Sequence, residues 1–179
     1  MSTTPPRSTF VTVLAWVFIV MAGSATLISI MQNLMIHALF KDMAVEQALQ
    51  AQPEGVPPIL AFLAGHAQLF FLGFLLVSMA TLVSAIGLLR RLNWARLCFI
   101  GLMGLGILWQ VVGFVIQSSV FSSMREQFAQ AADLGGPDMS AALPIIALVS
   151  GLFALVMAAL HGWIAWRLLS APIAAEFRR

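Results

Sequence analysis

Four stretches of this chain, Phe10–Phe40, Val56–Leu89, Leu97–Met124 and Met139–Trp166, contain no Asp, Glu, Lys or Arg. Each is longer than the roughly 20 apolar residues that carry a helix across the hydrocarbon core of a bilayer. Lipid offers no hydrogen-bond partner, so the backbone of a continuous apolar span has to bond within itself, as a helix does. The fold class read from the sequence is therefore an all-α membrane protein, a four-transmembrane-helix bundle.

Composition narrows what such a bundle can do. Hydrophobic residues make up 61% of the chain and charged residues 9%, whereas a soluble domain carries about a quarter charged residues. The few Lys and Arg residues sit at span ends and form no basic stripe, so no nucleic-acid partner is expected. Cys98 is the single cysteine; it excludes an internal disulfide and reads as a small buried apolar residue. CxxC, HExxH and cysteine–histidine clusters are all missing, so no catalytic, cofactor-binding or metal-ligating residue is assigned and no cofactor is expected.

The arginines orient the spans. With the N-terminus inside, the inner segments collect Arg7, Arg90, Arg91, Arg96, Arg167, Arg178 and Arg179, and the outer ones hold Lys41 and Arg125. That bias places both termini in the cytoplasm. Asp42, Glu46, Glu54, Glu126, Asp133 and Asp138 fall outside and Glu176 inside. Trp94, Trp163 and Trp166 lie near the inner span ends, at the depth where indoles favour headgroups. Arg7, Val11–Met21 and Ala22-Gly23-Ser24-Ala25 have the outline of a signal peptide, but the apolar run continues to Phe40, which favours an uncleaved first span.

The chain divides into a disordered cytoplasmic tail over 1–8, a single membrane domain over 9–170 and a cytoplasmic tail over 171–179. Arg90–Arg96 is too short to join anything but antiparallel neighbours. Phe40, Met43, Glu46, Gln47, Gln50 and Ala51 pair with Phe121, Met124, Glu126, Gln127, Gln130 and Ala131, with one residue of slippage. The spacing of about 80 residues suggests two tandem helical hairpins, 9–91 and 92–170; convergent helix-forming composition is the alternative. Lys41–Gln52 and Ser122–Asp133 favour helix and hold no Gly or Pro, so both read as helical extensions on the outer side.

Few polar groups lie within the spans. Thr26, Ser29, Asn33 and His37 share one face of the first span, with Gln32 at its edge, and Gly106, Gln110, Gly113 and Gln117 share one face of the third. Unpaired amides are costly in hydrocarbon, so these faces are expected to meet inside the bundle as interhelical glue or to line a small polar cavity. Gly73, Val77, Ala80, Ser84 and Gly87 in the second span, and Ala147, Gly151, Ala154, Ala158 and Gly162 in the fourth, read as packing faces. Gly101, Gly104 and Gly106 lie in an apolar span without the strand a phosphate loop requires. His37 and His66 belong to the outer halves of their spans and could ligate a haem iron, although they differ in depth; His161 lies towards the inner side.

The segment Gly87-Leu88-Leu89-Arg90-Arg91-Leu92-Asn93-Trp94-Ala95-Arg96 resembles the inner connection of small, uncharacterised bacterial four-helix inner-membrane proteins, in which an apolar span ends in arginines followed by Asn-Trp-Ala-Arg. That resemblance implies the bacterial cytoplasmic (inner) membrane and no activity. Arginines holding the turn inside and an anchoring Trp94 explain the same residues.

Spans free of Asp, Glu, Lys and Arg speak against proton relays and ion-coupled carriers, and no carboxylate or nucleophile constellation supports catalysis. The leading expectation is a non-enzymatic accessory or interaction subunit of a membrane assembly. Its partners would be the lipid bilayer and a membrane protein or a second copy of the chain. A b-type haem-binding redox protein and a small permease or channel are the alternatives.

Overall fold

The computed structural model describes residues 8–39, 62, 65–133 and 142–177. Its helices are α1, Thr9–Leu39; α2, Ala67–Leu89; α3, Asn93–Asp133; α4, Ala142–Leu169; and the short α5, Ala171–Ala175. Four of them contain segments long and apolar enough to cross a membrane: Thr9–Ala38, Ala67–Leu89, Asn93–Ser122 and Ala142–Leu169. The chain is a four-helix membrane bundle, as its uncharged stretches require. α3 has 41 residues and reaches about 62 Å at 1.5 Å per residue, so it overshoots a core of about 30 Å. The outer extension read over Ser122–Asp133 is therefore helical. The one read over Lys41–Gln52 lies outside the described residues, as does residues 1–7 of the N-terminal tail.

Pairing follows the two hairpins. α1 packs along α2 and α3 along α4, with a smaller contact between α2 and α3. Small residues permit the approach: an added Cβ on Gly23 would lie 3.9 Å from Leu82, and one on Gly151 would lie 3.5 Å from the Phe114 ring. Dispersion between closely packed surfaces is what holds membrane helices together, because burying apolar groups away from lipid gains little.

All four spans converge at the arginine-rich end. Val11 and Ala15 of α1, Leu88 of α2, Phe99 of α3, Leu168 of α4 and Phe177 beyond α5 belong to one buried cluster. Phe18 meets Phe99 edge-on at 4.8 Å, and Phe10 meets Trp163 edge-on at 5.5 Å, which ties α1 to both helices of the second hairpin. Towards the far end burial thins, and Met31, Leu148 and Leu155 stand outward. Apolar surface on that scale on every span is suited to acyl chains. Cys98 also stands outward, contrary to its expected burial. On α3 it falls one position before the fully buried Phe99, and a step of about 100° along a helix turns it off the core.

The α2–α3 turn is closed by backbone hydrogen bonds. Leu92 N–H donates to Gly87 O and Arg91 N–H to Leu88 O, both at 3.0 Å, the pattern that ends a helix through a left-handed residue. That residue is Arg91, with φ of 57°, among the described residues the one non-glycine with positive φ. Glycine is usual there, because a Cβ in this region costs about 1 kcal/mol or more.

Candidate functional site

The polar faces of the spans do find partners, but within each hairpin. Asn33 Nδ2 donates to Ser29 O at 2.8 Å and, across to α2, to Phe71 O at 3.1 Å. Thr26 and Ser29 turn their hydroxyls onto Ala22 O and Ala25 O at 2.7 Å, which satisfies them inside α1. On the other hairpin Gln117 Nε2 donates to Ser150 Oγ of α4, and Ser150 Oγ donates on to Ile146 O. The expected meeting of the α1 face with the α3 face is replaced by two separate seams. The reason is pairing: each face lies against its own hairpin neighbour. Gln110, between the two ends of the α3 seam, makes no hydrogen bond among the described residues. Beside Gly113 there is open space.

The three histidines take unrelated places. His66 occupies the N-cap position of α2 without a side-chain capping bond, stacks on Phe62 with ring centroids 4.4 Å apart, and has Nδ1 2.9 Å from Phe62 O. His37 stands exposed near the end of α1. His161 lies at the α3–α4 contact, where its Nδ1 is 2.6 Å from Met157 O and its ring covers Gly106. A Cβ on Gly106 would fall 2.7 Å from the imidazole Cδ2. Gly106 is thus the seat of an imidazole, and Gly101 and Gly104 open away from the bundle with nothing beside them.

A second cluster, unread from the sequence, closes the arginine-rich end. The left-handed turn directs Arg91 back over α1, where Nη2 donates to Ser8 O at 3.0 Å and to Thr12 Oγ1 at 3.1 Å. Nη1 lies 3.0 Å from Glu176 Oε2 as a charge pairing, off the line of an aligned hydrogen bond. The Ser8 N–H donates to both carboxylate oxygens of Glu176 at 3.2 Å. Phe177, 1% exposed, has the Arg91 guanidinium 5.8 Å and that of Arg96 5.7 Å from its ring centroid. Arg96 Nη1 also reaches Leu168 O at 3.4 Å, where a cation is favoured by the carbonyls ending α4. The sequence held one signal for this cluster: Glu176 is the lone acid at an end crowded with arginines.

Chemically this arrangement neutralises one arginine and ties chain ends together. It presents no nucleophile held by a base. Among the described residues no group of three or more His, Cys, Asp or Glu side chains could hold a metal ion.

No family model, curated protein or solved structure matches the chain.

Proposed function

We propose that this protein is a non-enzymatic accessory or interaction subunit of a membrane assembly, placed in the bacterial cytoplasmic membrane with both termini cytoplasmic. The observation that carries the reading is the outward face of α3. Gly101 and Gly104 lie on a span, one turn apart, and an added Cβ would meet nothing within 4 Å at either position. Two other glycines of this hairpin seat a neighbouring side chain, Gly106 under His161 and Gly151 under Phe114, whereas Gly113 of α3 and Gly73 of α2 are bare like Gly101 and Gly104. Two adjacent glycines left bare in hydrocarbon sacrifice helix propensity with no packing in return, and contact with another span restores that packing. The charged groups support the same reading, since Arg91, Arg96 and Glu176 serve to hold helix ends.

The test is chemical cross-linking in native membranes followed by purification in mild detergent. A discrete higher-mass species, lost in Gly101→Leu/Gly104→Leu while the protein stays folded, is the expected result. A clean monomer with neither self-association nor a stable partner sinks the reading.

A small permease is a second reading, favoured by Gln110 alone. An amide at membrane depth without a protein partner is matched by water or a passing polar solute. Liposome flux of small neutral solutes that is unchanged in Gln110→Leu argues against it.

A further inference from the structure

The geometry points to residues 171–177 acting as a releasable latch on the arginine-rich end of the bundle, closed by the Arg91–Glu176 pair. This inference is independent of the interaction-subunit reading.

The hinge is short and defined. α4 ends at Leu169, Ser170 is extended with φ −59° and ψ 141°, and proline occupies the first turn of α5. Proline at that place cannot continue α4 but starts a new helix readily. α5 has five residues, far below the roughly 12–15 at which an isolated helix in water becomes even marginal. Its order therefore depends on what it docks against.

Docking rests on three side chains. Ile173 and Phe177 enter the cluster that holds Val11, Leu88, Phe99 and Leu168, the Phe177 ring also lying against the Arg91 and Arg96 guanidinium groups, and Glu176 forms the ion pair. Through Glu176 the segment grips two other parts of the chain at once: the backbone at the start of α1, through Ser8 N–H, and the α2–α3 turn, through Arg91. Closing the latch thereby joins α1, the turn and the end of α4.

Release is built into the same contacts. Arg91 reaches Glu176 from a left-handed backbone held by the hydrogen bonds of the α2–α3 turn itself, so opening need not remake the turn and breaks only side-chain contacts. Arg96 Nε is buried without a partner among the described residues, a penalty on this end as packed. On opening, Phe177 leaves both guanidinium groups and uncovers the cluster it shares with Val11, Leu88, Phe99 and Leu168.

The test is electron paramagnetic resonance on full-length protein in lipid nanodiscs, in a Cys98→Ala background, with nitroxides at Thr9→Cys and Ala175→Cys, both exposed positions. The parent gives a short interspin distance. Glu176→Gln, nearly isosteric, is expected to add a longer component and to raise the open-to-closed ratio about tenfold, the scale of losing a charged hydrogen-bonded partner. Arg91→Gly separates charge from backbone. It relieves the left-handed strain but removes the guanidinium, so the latch opens if the pair holds it and stays shut if turn geometry does. Circular dichroism checks that the spans remain helical. A single short distance in both variants overturns the latch, and so does loss of the segment only together with the whole bundle.

Discussion

Arg91 and Glu176 stand 3.0 Å apart with side chains 14% and 13% exposed, and they join the turn after α2 to the segment after α4. Separated from bulk water to that degree, each group relies on the other. Replacing either with alanine leaves an uncompensated charge near the buried cluster and is expected to cost about 2–3 kcal/mol. A double-mutant cycle of Arg91→Ala and Glu176→Ala, followed by thermal unfolding in detergent, should return favourable coupling. Arg90→Ala, at an exposed neighbour, should change stability little.

Gly106 and His161 should behave as a matched pair. Gly106→Ala places a methyl group 2.7 Å from Cδ2 and 2.9 Å from Nε2 of the ring, and overpacking of this kind costs about 1–3 kcal/mol. Gly104→Ala meets open space and should be neutral or slightly stabilising. Adding His161→Ala should relieve the Gly106→Ala defect, which a melting series on the four proteins would register.

The two polar seams predict modest, additive effects. Asn33→Leu removes the link to Phe71 O, and Gln117→Leu removes the link to Ser150. Interhelical hydrogen bonds in membranes contribute about 0.6 kcal/mol on average, so each loss should be on that scale. The seams lie in different hairpins, so the double variant should show the sum. Marked non-additivity in unfolding measurements would mean that the seams communicate.

Ser84 is buried, and its hydroxyl has no partner among the described residues. Ser84→Ala should leave stability unchanged or raise it by up to about 1 kcal/mol, because an unpaired hydroxyl is removed without a cavity larger than one atom. A lower melting temperature would instead reveal a bound water at this position.

Protein purified from cells supplied with haem is expected to lack a Soret band. His37 stands exposed, and His66 has Nδ1 against Phe62 O with its ring stacked on Phe62. An absorption spectrum with a Soret band abolished by His37→Ala or His66→Ala would reinstate the redox reading.

Much of the architecture was legible in the chain because lipid leaves few choices. A long stretch without Asp, Glu, Lys or Arg has to satisfy its own backbone, so Phe10–Phe40 and its three counterparts dictate helices whatever they pack against. Arg90–Arg96 likewise dictates antiparallel neighbours by its length. The partners of polar faces were less legible. The sequence places Asn33 and Gln117 on faces that avoid lipid, but it holds no information on which helix each face meets.

Tertiary structure alone decided those pairings, the outward turn of Cys98 and the place of residues 171–177. A tail reading follows from a short segment after the last span, and composition carries no sign of Phe177 returning to the cluster of Phe99 and Leu168. That return depends on Arg91 adopting a left-handed conformation in which its guanidinium reaches Ser8, Thr12 and Glu176 together. The sequence by itself determined that there are four spans, because backbone hydrogen bonding in lipid is a local requirement. How the spans are locked at one end is a long-range matter, settled by contacts between residues about 80 to 170 positions apart, whose closure no local propensity encodes.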